Sequence, residues 1–194
     1  MKILIIDTST KFLYVSLTID NLEVFKHILE GKNNHSEHLI PIITKALQEN
    51  NIGVGDLDKI IVGKGPGSYT GLRISMTVAK MFAWSKKIDL YAISSLDIIA
   101  SGYFKKNGIY AIKSFAKYNY IYDKIVEVKE GNINILTNDE FSLESDFDER
   151  IKGFDCFIIN ENNYIYDVFK IIDLATDKCV DIHSLGPNYL RKVL

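Results

Sequence analysis

Gly63-Lys64-Gly65-Pro66-Gly67-Ser68-Tyr69-Thr70-Gly71-Leu72-Arg73 decides how this chain folds. It follows the short apolar run Ile60-Ile61-Val62 and opens a long apolar-rich segment at Leu72. Four glycines and a proline between a strand and a helix demand a tight turn, in backbone conformations that side chains forbid. Amides at such a helix start can hold an anion. The same glycines can equally serve close packing. A P-loop needs a lysine followed by Ser or Thr directly after its last glycine; here Lys64 precedes the Gly-Pro-Gly and Ser68 follows Gly67. The dinucleotide fingerprint needs a glycine in sixth place; counting from Gly63 or Gly65 puts Ser68 or Thr70 there. The residues favour a structural turn framed by Gly65, Pro66, Gly67 and Gly71 over a phosphate site.

Around this turn the periodicities describe an α/β protein. Residues 2–6 are a continuous apolar run, the mark of a buried central strand. Residues 12–19 and 22–29 alternate about Asp20-Asn21, which predicts a hairpin. A helix is expected from Ser36, as N-cap, to about Gln48, with Pro41 costing a hydrogen bond or bending it. Strand at 60–63, helix at 72–86, strand at 90–93 and helix at 95–105 follow. A second unit begins near Gly108, with strands expected at 109–112, 118–128, 133–137 and 154–159 and a helix at 164–172.

Two helices carry more apolar surface than one sheet requires. On the first, Leu39, Ile42, Ile43 and Ala46 form a stripe that Ile40 and Leu47 widen. On the second, Ile74, Val78, Met81 and Phe82 form one face. Gly71, Ser75, Ala79 and Ala83 form another, at a spacing that admits a close second helix, with Leu72 and Met76 adding bulk beside it. Burial between layers of one domain and pairing with another protein both fit.

The 194 residues suit one large domain or two small ones, burying roughly 70% of the unfolded surface. A net charge of −2 with only three arginines (Arg73, Arg150, Arg191) argues against independent nucleic-acid binding. Cys156 and Cys179 lie among apolar residues without metal spacing, as buried thiols do. The apolar start is cut at Asp7 and no run reaches the length of a membrane span, so the expected setting is cytoplasmic. Asp7-Thr8-Ser9-Thr10 is the most enzyme-like cluster, although an acid and three hydroxyls at a strand end also satisfy turn backbone. His35 and His38 tempt as zinc ligands, but no third distant ligand is recognisable.

Taken together, Ile3–Thr10, His35–Pro41, Gly65–Arg73, Ser94-Ser95-Leu96 and Pro187-Asn188-Tyr189-Leu190-Arg191 resemble the bacterial TsaB (YeaZ) family of tRNA threonylcarbamoyladenosine biosynthesis. The resemblance is good to about residue 100 and poor from 103 to 186. It implies an actin/hexokinase-like (ASKHA) fold of two α/β lobes, each with a mixed sheet and flanking helices. The N-terminal lobe would span 1–107. A smaller, divergent lobe would span 108–194, its last residues free to return to the first. It implies an accessory subunit without catalytic residues, metal or cofactor. Its partner would be a TsaD-type transferase, joined by a TsaE-type ATPase, with tRNA reached only through the complex, no membrane contact, and a homodimer as an option. The pairing residues expected from it are His38, Leu39, Ile42, Ile43, Ala46, Leu72, Ser75, Met76, Ala79 and Ala83, so a charge at Ala79 should break pairing. One departure is clear. The family has an Asp-Ala-Arg segment where this chain has Lys113-Ser114-Phe115. The rivals are an ATP-binding ASKHA phosphotransferase using Asp7 and the glycine turn, and a metallopeptidase using His35 and His38. The chain has no Asp-x-Gly-x-Thr second phosphate loop and no adjacent glycines, which weakens the first.

Overall fold

The computed structural model describes residues 1–31 and 34–190; Arg191, part of the terminal motif above, lies outside them. Five strands form the first sheet: β1 (Lys2–Asp7), β2 (Phe12–Ile19), β3 (Leu22–Glu30), β4 (Lys59–Gly63) and β5 (Asp89–Ile93). Their order is β3-β2-β1-β4-β5. β2 and β3 are antiparallel neighbours, while β1, β4 and β5 run parallel. β1 is central, so both of its faces are covered and its sequence shows no alternation. Leu4 and Ile6 enter one apolar layer, Ile3 and Ile5 the other. The expected hairpin turn is present, with Asp20 and Asn21 both at positive φ (48° and 65°), the backbone that matches strand twist.

Helices α1 (His35–Glu49) and α2 (Tyr69–Lys86) lie side by side on one face of this sheet. α1 begins earlier than expected. Asn34, not Ser36, stands at its N-cap, without a capping bond, and the helix continues through Pro41. α2 begins at Tyr69 because the Ser68 hydroxyl accepts from the Gly71 amide, closing the first turn before the apolar run starts. The opposite face of the sheet packs against α3 (Ser95–Ala100), α5 (Val168–Leu174) and a second sheet.

That sheet contains β6 (Gly108–Lys117), β7 (Tyr120–Lys129), β8 (Asn132–Leu143) and β9 (Cys156–Ile159), in the order β8-β7-β6-β9. Its inner residues Tyr110, Ile112, Tyr122, Val126 and Ile159 share one core with Ile3, Ile5 and Tyr14 of the first sheet. The buried Lys124 ammonium spans the boundary, 2.7 and 2.8 Å from the two carboxylate oxygens of Asp97 on α3. On the outer face, α4 (Glu144–Ile151) inserts Phe147 and Ile151 against Ala111, Ile121 and Ile125. No periodicity announces α4, because only two of its residues are buried. β6 and β8 run well past their expected ends, and Tyr118 lies in the turn between β6 and β7, not within a strand. Both cysteines are half-buried and unpaired, not sealed in the core.

The described residues after α5 form no helix or strand and run as a strap along the β5 edge of the first sheet, past α2 to the glycine turn. The Cys179 amide donates to Leu90, Lys80 reaches the carbonyls of His183 and Leu185, and the Asn188 amide donates to Lys64. Among the described residues no helix is long and apolar enough to cross a membrane.

Candidate functional site

The end of β1, the glycine turn and the start of α3 converge on Asp7. Its Oδ1 accepts from the Ser9 amide (2.9 Å) and the Ser9 hydroxyl (2.6 Å), and its Oδ2 accepts from the Ser95 hydroxyl (2.6 Å). Ser95 Oγ in turn accepts from the Gly65 amide at 3.0 Å. The carboxylate is 1% exposed and burial pushes its pKa upward, against the lowering effect of these hydrogen bonds. Both oxygens serve the turn, which is structural use of the acid.

The glycines explain why the turn must have this sequence. A Cβ on Gly63 would fall 1.6 Å from Asp7 Oδ2. One on Gly67 would lie 2.4 Å from the Ser9 carbonyl oxygen, and one on Gly71 1.9 Å from that of Thr8. Gly65 stands at φ +100°, ahead of a cis bond to Pro66. The Ser68 amide donates to Ser9 (2.7 Å) and the Thr8 hydroxyl to the Gly71 carbonyl (2.6 Å), so turn and strand end are laced together.

The two histidines both lie in the first turn of α1 and have separate partners. His35 is buried, with Nε2 at 3.1 Å from the Thr10 carbonyl, to which it donates. His38 is half-buried, its Nε2 accepting from the Asn34 side-chain Nδ2 at 2.9 Å. Among the described residues no group of three or more His, Cys, Asp or Glu side chains is placed to hold a metal ion.

Between the glycine turn and the second sheet lies a cleft of about 780 Å³. Ser9, Thr10 and Ser68 line its polar side; Phe115 and Tyr122 line the other; Tyr69 and Tyr189 stand together at its mouth, ring centroids 4.9 Å apart. Asp7 points away from it, toward Gly63 and Ser95.

Of the ten pairing residues expected from sequence, nine are turned inward and His38 is half-buried. Leu39, Ile42, Ile43, Ala46, Leu72, Ser75, Met76, Ala79 and Ala83 are all buried within this chain. The small-residue row admits a close neighbour, and within this chain α2 packs it against its own sheet and α1. The surface of the helix pair belongs to Ile40, Met81 and Trp84, exposed by 40%, 49% and 64%. Met81, expected on one apolar face with Ile74, Val78 and Phe82, is half exposed. Its spacing of three to Trp84, with Thr77 a turn before, is the signal that marks an outward row.

An α/β protein of two mixed sheets packed on a shared core, with a helix pair covering the first, is thus defined by topology and packing. YeaZ from Pseudomonas aeruginosa superposes with a TM-score of 0.79 over 97% of this chain and 99% of that one, at 18% identity, which establishes the common fold. A profile described as "TsaD: tRNA N6-adenosine threonylcarbamoyltransferase" matches residues 29–114. The tRNA threonylcarbamoyladenosine biosynthesis protein TsaB of Bacillus subtilis is 34% identical, with 98% of this chain and 94% of that protein aligned. TsaB of Escherichia coli is 32% identical over 56% of this chain and 46% of its own length. The chain belongs to the TsaB family.

Proposed function

We propose that the chain is a non-catalytic scaffold subunit in tRNA threonylcarbamoyladenosine synthesis, pairing with a TsaD-type transferase through the outward face of α1 and α2. The end-to-end relationship to the B. subtilis TsaB supports the pathway. The observation that carries the scaffold role is Asp7: the most enzyme-like acid in the chain spends both carboxylate oxygens on its own turn. Ile40, Met81 and Trp84 supply the apolar centre that a protein interface needs. The same face serves a homodimer when the transferase is absent, and a TsaE-type ATPase joins the pair afterwards. We further propose that the two sheets with their helices act as separate lobes, divided near residues 107 and 108.

Docking activates the transferase only if it contacts two of its conformations unequally. Light scattering on size-exclusion fractions tests the pairing, using the chain and the transferase of the same organism. A heteromer peak that Trp84→Ser weakens supports the reading. The absence of any heteromer at micromolar concentrations, with or without ATP, overturns it.

A further inference from the structure

We propose that an aromatic row leading from the mouth of the cleft to the tip of the β6–β7 hairpin is a platform for unpaired RNA bases. It rests on the function proposed above and gives the second sheet a part in it: direct contact with the RNA substrate. The row begins at Tyr122, on the cleft wall. Its ring lies 5.5 Å from Phe141, and Phe141 stacks on Tyr120 at 4.8 Å with the planes only 8° apart. Tyr120 is 38% exposed. Beyond it, Tyr118 occupies the turn and is 77% exposed, with the Lys117 ammonium 4.8 Å from its ring centroid. Across the cleft the Arg73 guanidinium sits 4.0 Å over Tyr69 and donates through Nε to the Tyr189 hydroxyl.

Period-two placement would put Tyr118, Tyr120 and Tyr122 together on one packed face. Only Tyr122 is buried, and each step toward the tip is more exposed. Folding gains little from the Tyr118 ring left in water, whereas every nucleobase offers a flat face to it, whatever its identity. The charges match that occupant. Among the described residues neither Lys117 nor Arg73 has a carboxylate partner, leaving two cations for phosphates at the two ends of the row. Of the nearby acids, Glu144 is paired with Lys113 at 2.7 Å, while Glu161 on the cleft wall lies 4.0 Å from Lys11, whose nearer partner is Glu30 at 2.9 Å. Rings interleaved with cations suit a single strand, in which bases and phosphates alternate; an apolar protein face would leave both cations without a counter-charge.

The test uses a fluorescent RNA stem–loop with an unpaired loop, and a blunt duplex of the same stem. Both are titrated with the reconstituted chain–transferase pair and read by anisotropy. The double variant Tyr118→Ala/Tyr120→Leu keeps an apolar side chain against Phe141, and chromatography checks that it still pairs. The proposal expects the variant to lose about tenfold in affinity for the stem–loop, with duplex binding unchanged. Equal binding of both RNAs by the wild type, or an unchanged stem–loop affinity in the variant, overturns it. A variant that loses transferase pairing and keeps its RNA affinity makes the row a protein interface, and also overturns it. Should the wild-type pair itself fail to form, the functional reading falls first. The chain alone then decides the platform: a loop preference that the variant abolishes keeps it, and no preference ends it.

Discussion

The first sheet is closed on one face by two long helices whose packed side chains are mostly small or apolar, whereas the outer face of the second is closed by a single eight-residue helix that adds ion pairs to two apolar anchors. Arg150 of α4 donates to the fully buried carboxylate of Asp123 at 2.7 Å and also pairs with Glu140, and Lys113 reaches Glu144. Each ion pair needs its partner's geometry, while apolar layers tolerate drift in sequence so long as volume is kept. The resemblance to the family fades in the region fastened by pairs, and Lys113-Ser114-Phe115 stands at the centre of that region.

Substitutions separate the two arrangements. Ala79→Glu should have the largest effect, more than about 4 kcal/mol, because a charge would enter a layer with no polar partner. A folded protein with a normal urea midpoint would place that row outward after all. Phe147→Ala should lose about 3 kcal/mol by emptying the anchor of α4. Hydrogen exchange should show the loss in α4 and β7 while α1 and α2 stay protected; equal loss everywhere would mean that the sheets do not differ in this way. Arg150→Met leaves Asp123 buried without its cation and should cost about 2 kcal/mol, with the pair partly solvated. An unchanged midpoint would show that packing alone holds the helix.

Asp7 offers a quieter comparison. Its pKa is raised in the folded chain, so between its ordinary range and that raised value the native state holds a proton the unfolded chain has released. Stability from this group is therefore greatest at low pH and falls as pH rises. Asp7→Asn should flatten that slope in urea melts from about pH 4 to 7 and leave pairing intact; a slope that survives the substitution assigns it to another group. Smallest of all, Trp84→Ser should change stability by no more than about 0.5 kcal/mol. A larger loss in thermal melts would mean that the outward face of α2 is structural.

How much the sequence disclosed follows the same division. β1, the Asp20-Asn21 hairpin and the strand–turn–helix around Gly65 were legible because each rests on local rules: continuous hydrophobicity, positive φ, missing Cβ atoms. α4 was not, because its two buried residues leave no stripe. The helix pair was legible as over-apolar, but not in orientation. Two layers of one chain and two chains ask for the same residues, and periodicity cannot show that Ala79 packs against its own sheet. Asp7 was legible as an acid among hydroxyls at a strand end, while its burial and its tie to Ser95, far along the chain, were not.

The strap has a consequence for the order in which the molecule is made. A ribosome delivers β4, β5 and the glycine turn early, yet the groups that bind Lys64, Lys80 and Leu90 come from residues 179 to 188. The second sheet must be synthesised in between. Until it is, the nascent first sheet carries an open edge at β5 and a loop lacking its last hydrogen bond, the kind of exposed edge that recruits chaperones or stray strands. Completion of the first half is thereby a signal that the second half has been translated.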